Sequence, residues 1–359
     1  MVSPEKRFRG SSFLSTIICR WRGLSCLAGF AIGISLTVQI EAHCQSLAQQ
    51  IDNSYPPPQM TRTLEVFKQI PLTVSPFGYL RMAQCDDSGD MFFAAAAPPR
   101  SGVTYLSISN DGQKQTVYEI PKYVADNAYN STFSVSSDGK LQLLFVVSGQ
   151  PVKWLTFGRD GKLNRETTLS LPSDIDVRSF AVTSQGYLLL VGYQPPTDTH
   201  AKGEGRTYSA IFNYKGDVVA KLIPEDAGRQ SNGQFTSPEE PAVAEGENFF
   251  WIDNSGKYLV VTDTDGSTVR RLRIPEARPG DQIIGLSISN NLAVLTFMNG
   301  KATPRLSFLM LDTISGTRVG LFLPPTEVHG NLTCFDSSRG FTFLSNSSGH
   351  LSIVQSAMP

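Results

Sequence analysis

The sequence predicts an all-β protein, a six-bladed β-propeller built from four-stranded antiparallel blades. Three observations carry that reading. An aliphatic residue followed by proline returns six times at nearly constant spacing; Asp-Gly-type turns recur within the intervals; and the strand count closes only if an N-terminal strand completes the last blade.

The repeat comes first, because a period of this length sets the architecture. The proline-terminated segments are residues 63–71 (TLEVFKQIP), 116–121 (TVYEIP), 167–172 (TTLSLP), 218–224 (VVAKLIP), 268–275 (TVRRLRIP) and 317–324 (TRVGLFLP). Their prolines, at 71, 121, 172, 224, 275 and 324, lie 50, 51, 52, 51 and 49 residues apart. Proline cannot donate to a strand ladder, so it suits the end of an outermost strand.

The interval from Pro121 to Pro172 shows the internal plan. Residues 131–136 read as a strand, and Ser137-Asp138-Gly139-Lys140 as a turn. A second strand covers 141–147, and a looser loop holds Gly149 and Pro151. A third strand covers 152–157, then Arg159-Asp160-Gly161 turns into the Pro-terminated strand. Asp-Gly between apolar runs is a hairpin signal, because these turns need positive φ. Comparable turns are Asp87-Ser88-Gly89, Asn110-Asp111-Gly112, Lys215-Gly216-Asp217, Thr264-Asp265-Gly266 and Ser315-Gly316. Four antiparallel strands per repeat is the plan of a propeller blade. After Pro324 only three strand-like pieces remain, at 331–335, 341–344 and 351–355. The missing fourth is the N-terminal strand 63–70, which closes the ring. A β-sandwich is the competing architecture, and the even spacing argues against it.

On this repeat and its turns the chain resembles the six-bladed propeller superfamily of NHL-repeat, TolB-like and gluconolactonase-like proteins, over residues 62–359. The resemblance is architectural and brings no active-site motif, so it implies a fold and no function.

Ahead of the repeat, Lys6, Arg7, Arg9, Arg20 and Arg22 precede an uncharged apolar run from 24 to 40 and then Glu41-Ala42. That order reads as a secretory signal over residues 1–42, with an uncleaved anchor at 24–40 as the alternative. The run is short for a membrane span, which needs about 20 residues. Either reading exports the rest, to the periplasm or the exterior. Residues 43–61 read as a Pro/Gln-rich linker, stiffened by Pro56-Pro57-Pro58. The chain carries 31 basic and 32 acidic residues; without 1–42 it would carry 26 and 30, a formal charge of -4. Nucleic acid is not an expected partner for that balance.

In a four-stranded meander, the turns between strands one and two and between strands three and four share one face. The Asp-Gly turns fall there. The long connections, 97–103, 194–206 and 224–240, fall on the other face, and long loops carry function more often than tight turns. Near the channel mouth on that long-loop face the reading places Arg81, Asn130, Asp176, Arg178, Glu240, Asp281 and Asn331. Their carboxylates and amides would suit calcium, while Arg81 and Arg178 would suit an anionic ligand; a solvated polar rim is the plainer alternative. No cofactor is assigned beyond that candidate calcium ion.

Other chemistry is thin. The Asp-rich stretches 86–90 and 263–266 lack the glutamate of a calcium loop and read as turns. The histidines, His43, His200, His329 and His350, show no metal-ligand spacing, and no nucleophile elbow, phosphate loop or dinucleotide fingerprint occurs. Cys85 and Cys334 each end the first strand of a blade, the first and the last. They read as a disulfide across the closure or as two buried thiols. The expected function is an exported, monomeric binding module for a protein, glycan or small ligand on the long-loop face. The alternatives are a metal-dependent, lactonase-like hydrolase at the channel mouth and a purely structural surface domain; whether the chain is an enzyme is left open, with the binding role preferred.

Overall fold

The computed structural model describes residues 61–358, apart from 73–78, 97–102, 126–130, 148–149, 173–174, 195–205, 223–240, 254–255, 275–281, 300–304, 329 and 348–349. The expected leader and linker lie outside the described residues. No helix among the described residues is long and apolar enough to cross a membrane.

The chain enters with β1 (Arg62–Thr63) and β2 (Val66–Pro71). Blade 1 is β3 (Tyr79–Cys85), β4 (Met91–Ala96), β5 (Val103–Ile108) and β6 (Gln115–Val117). A short helix α1 (Lys122–Ala125) leads to blade 2: β7 (Ser131–Val135), β8 (Leu141–Phe145), β9 (Lys153–Phe157) and β10 (Leu163–Thr168). Blade 3 is β11 (Asp176–Val182), β12 (Leu188–Gln194), β13 (Arg206–Phe212) and β14 (Val218–Leu222). Blade 4 is β15 (Ala242–Glu245), β16 (Asn248–Ile252), β17 (Tyr258–Asp263) and β18 (Thr268–Arg273). Blade 5 is β19 (Gln282–Ser289), β20 (Leu292–Asn299), β21 (Arg305–Asp312) and β22 (Arg318–Leu323). Blade 6 is β23 (Gly330–Asp336), β24 (Gly340–Ser347), β25 (His350–Ser356) and, from the other end of the sequence, β2.

The ring therefore closes as the strand count requires, with one refinement. The expected strand 63–70 is two strands serving two blades. β2 pairs antiparallel with β25, while β1 pairs parallel with β22 of blade 5. Between them Leu64, 2% exposed, is buried in the apolar layer between blades 5 and 6. Burying that side chain is what takes the chain across the junction. α1 was not legible in the sequence; its Val124 is fully buried against blades 1 and 2.

The core is six apolar layers, one at each blade junction. This explains the strand compositions. A middle strand is covered on both faces, so it reads as an unbroken apolar run. In β12, Leu188 and Leu190 face blade 2, whereas Leu189 and Val191 face blade 4. Outer strands have one exposed edge and are polar, as in LNRETT of β10 and TVRRLR of β18.

The tight turns follow a shared plan. In turns that start at Asp86, Ser136, Thr183, Asn213 and Asp263, the first residue caps the turn with its side chain while its carbonyl accepts from a glycine three residues on. Asp86 shows it: its Oδ1 accepts from Asp90 N at 2.9 Å, and its carbonyl from Gly89 N at 2.9 Å.

The second tight turn of a blade also seats on the outer strand of the blade before it. Gly161, at φ +81°, leaves only 2.5 Å between a would-be Cβ and the Val117 carbonyl oxygen. Gly216, at φ +87°, presses on the Thr168 carbonyl in the same way. Their own carbonyls accept from Glu119 N at 2.9 Å and Ser170 N at 3.0 Å. Gly112, Gly266 and Gly316 meet Ile70, Ala220 and Leu272 at three other junctions. Only the junction of blade 5 with blade 6 lacks such a turn, because β25 and β2 are not joined through one. There β1 occupies the outer strand, and Leu64 N donates to Leu323 O at 3.0 Å.

Cys85 and Cys334 are joined by a disulfide, with Cα atoms 5.5 Å apart. The bond links the first strands of blades 1 and 6, inside the closure that β2 completes from outside.

Candidate functional site

The first strands β3, β7, β11, β15, β19 and β23 stand around the axis and enclose a cavity of about 610 Å³. Small side chains along them, among them Ala83, Ser134, Ser179, Ala242 and Ser287, keep the middle of the channel open.

Four of these strands carry a register shift against their neighbour, between Arg81 and Ala83, Val177 and Ser179, Ile283 and Gly285, and Leu332 and Cys334. A bulge re-aims the side chain it displaces. In β11 the displaced residue is Arg178, which lines the cavity. Its Nη2 sits 2.6 Å from Oδ2 of Asp176, at the start of the same strand and on the long-loop side.

Of the expected rim residues, the structure thus brings Asp176 and Arg178 together. Arg81 lies in β3 opposite Ala94, and Asn331 in β23 opposite Leu344; their side chains are not among those described. Asn130, Glu240 and Asp281 lie outside the described residues, as do most of loops 97–103 and 194–206 and all of 224–240. Among the described residues no three metal-ligating side chains converge.

The opposite mouth, where the first tight turns of the blades meet, holds charged groups, of which the sequence marks only Asp86, Asp87 and Arg159, as turn residues. Asp86, its carboxylate fully buried, accepts from Ser88 Oγ at 2.7 Å and from Arg159 Nη2 of blade 2 at 2.8 Å. Arg339 of blade 6 binds Asp336 Oδ2 at 2.8 Å and reaches over to the Asp87 carbonyl of blade 1 at 2.9 Å. Glu245 of blade 4 accepts from Asn290 N of blade 5 at 2.9 Å. Asn290 and Asn291 adopt φ of 49° and 64°, so this turn is of the two-residue type that asparagine favours. Asn290 Nδ2 then donates to Ser337 Oγ of blade 6 at 2.7 Å. Turn side chains therefore tie the blades to one another around this mouth.

The electrostatics follow. Burial pushes the Asp87 carboxyl above its ordinary value, and repulsion from Asp86 and Asp336 adds to that against the pull of Arg339. Burial likewise raises Glu245, with the Asn290 amide opposing it and Asp87 adding to it. Blades 1 and 4 are opposite each other in a six-membered ring, so the Asp87 charge reaches Glu245 across the mouth. Asp336 behaves the other way. Burial raises it, but the Arg339 and Ser338 hydrogen bonds outweigh that and hold it down to about 2. The mouth can offer both hydrogen-bond acceptors and, as Asp87 or Glu245 takes up a proton, donors to a ligand in the channel.

No family model matches the chain, and no curated protein matches it. Among solved structures, a member of the DUF4221 family from Bacteroides vulgatus superposes with a TM-score of 0.50 at 10% identity, covering 82% of this chain and 97% of that one. The likeness is one of fold. A propeller domain from the Trilobed protease of Pyrococcus furiosus, which has an open velcro topology, gives a TM-score of 0.44 at 11% identity, over 77% of this chain and 81% of that one. That similarity is too low to bear on this chain.

Proposed function

We propose that this chain is an exported binding propeller whose ligand is taken up in the central channel, with the long-loop face as its approach. The observation that carries the reading is the cavity of about 610 Å³ among the six first strands, with Arg178 turned into its wall by the bulge in β11. A cleft of this size with a few convergent polar groups is the usual form of a small-ligand site. Export is supported by the leader-like N-terminus and by a Cys85–Cys334 disulfide, which an oxidising compartment would maintain.

The test is a thermal-shift titration of the full chain against a panel of sugars, sugar acids and short peptides, repeated with Arg178→Ala. A ligand that raises the Tm of the parent saturably, and at least ten-fold less tightly in the variant (about 1.4 kcal/mol), supports the channel. A ligand whose binding ignores Arg178 and is lost with changes in 194–206 would move the site to the loops. Turnover of a lactone or ester panel, raised by calcium and abolished by chelator, would replace binding with hydrolysis.

A further inference from the structure

A second cavity, of about 340 Å³, lies between blades 2 and 3, away from the channel and independent of the function proposed for it. Its walls combine β8, β9 and β10 with the turn 183–186 of blade 3. Two observations there point the same way.

The first concerns Arg165. Its guanidinium lies over the Trp154 ring at 4.7 Å, and Nη2 reaches Thr156 Oγ1 at 3.5 Å. Its Nε is buried and has no hydrogen-bond partner. Arg159, Arg178, Arg271 and Arg339 each pair with a carboxylate; Arg165 pairs with none among the described residues. Burial lowers its pKa, and no carboxylate opposes that.

The second concerns Gln142, 2% exposed on β8. Its Oε1 accepts from Trp154 Nε1 at 2.9 Å and from Thr156 Oγ1 at 2.8 Å. The indole nitrogen can only donate, so the group facing it must be the amide oxygen. That assigns the remaining Gln142 nitrogen, with two N–H donors, to the cavity that it lines. It makes no hydrogen bond within the described residues. The wall's acceptors are largely engaged already: Asp138 pairs with Lys140 at 2.5 Å and takes the Ser136 hydroxyl at 2.6 Å, and Thr183 Oγ1 accepts from Tyr187 N at 3.1 Å.

We propose that this cavity binds a small oxyanion, a phosphate or carboxylate group, free or carried on a larger molecule, between the Arg165 guanidinium and the Gln142 amide. A partly desolvated cation and N–H donors without a protein partner are both stabilised by an anion. Lys140 at the rim adds a second positive charge, balanced locally by Asp138.

The experiment is a thermal-shift titration of the full chain with inorganic phosphate and, separately, with acetate, each against sodium chloride of equal ionic strength. A saturable rise in Tm with either oxyanion and none with chloride is expected; which oxyanion acts tells the phosphate source from the carboxylate. Arg165→Met keeps an apolar stem over Trp154 and should weaken the response at least about ten-fold. Gln142→Glu keeps both acceptor contacts and places a carboxylate beside Arg165; it should abolish the response and raise the Tm measured without anion. No response of the parent to either oxyanion, or an undiminished response in Gln142→Glu, overturns the proposal.

Discussion

Five of the six blade junctions and the remaining one are built differently, and the difference shows what holds the ring together. At five junctions the second tight turn of one blade docks on the outer strand of the blade before it, through Gly112, Gly161, Gly216, Gly266 and Gly316. At the junction of blades 5 and 6 that turn does not exist, because the third and fourth strands of blade 6, β25 and β2, lie far apart in the sequence. Three separate devices stand in for it and for the closure it leaves open. β1 pairs with β22, Leu64 fills the layer beneath, and the Cys85–Cys334 bond ties blade 6 to blade 1. A ring made of equivalent layers is as strong as its weakest junction, so the break in the covalent repeat has to be reinforced from outside the repeat.

Removing residues 62–71 should break the comparison most completely. It strips β2 from blade 6 and β1 from blade 5 and takes Leu64 out of the layer between them, where its burial alone is worth about 1.5–3 kcal/mol. We expect loss of the cooperative thermal transition, read by circular dichroism. A cooperative melt retained within a few degrees would show that closure is not needed. Next in size is the disulfide. Its closed loop spans a sequence separation of 249, and Cys334→Ser should cost about 2–5 kcal/mol in equilibrium denaturation. Reduction of the parent should cost about the same.

The five ordinary junctions are sharpened by a pair of glycines. Gly246→Ala meets nothing within 4 Å and should cost only its positive φ, about 1 kcal/mol. Gly216→Ala carries the same strain and also drives a methyl group into the Thr168 carbonyl, so about 2–3 kcal/mol is expected. Equal losses would mean that the turn does not seat as described.

The smallest effect is a pH dependence at the mouth where blades 6 and 1 meet. Asp336, held down to about 2, stabilises the fold above its ordinary value of 3.8, and that contribution is lost as pH falls from about 4 towards 2. Asp336→Asn should cost about 1 kcal/mol at pH 7 after allowance for solvent screening, and less at pH 2. Asp87 has the opposite sign. Its raised pKa means that stability is lost as pH climbs through the interval above 3.8. Asp87→Asn should therefore be neutral or slightly stabilising at pH 7. Denaturant midpoints at the two pH values decide both.

The architecture was legible because each layer of it leaves a local mark. Proline ends outer strands, Asp-Gly makes turns, and the missing fourth strand after Pro324 had only one source. The division of 63–70 into two strands left no such mark, since Leu64 and Val66 are both aliphatic and both pack into the layer between blades 5 and 6. The same limit applies to Arg178: a bulge is an extra residue against a partner strand, and a sequence without its pairing shows no extra residue. The polar mouth at the tight-turn face was hidden for another reason. Asp86, Asp336 and Asn290 are the residues that turns require anyway, so their second role, binding across blade boundaries, adds nothing to the pattern. Gln142 is one polar residue in an apolar strand and Arg165 one of several in a polar strand, so neither stands out until Trp154 and Thr156 are seen to take up the amide oxygen.

The pairing of Val66 with Ser356 also has a use for protein engineering. These two residues lie side by side on neighbouring antiparallel strands, as the two arms of a hairpin do. A short Asn-Gly linker from Ala357 to Glu65 would give blade 6 the turn it lacks, and new ends could be opened at an exposed turn elsewhere. Such a circular permutant would place β2 and β25 in one hairpin and would omit β1 and Leu64, which precede the new link. Its stability relative to the parent would weigh a conventional junction directly against the one assembled from separate parts.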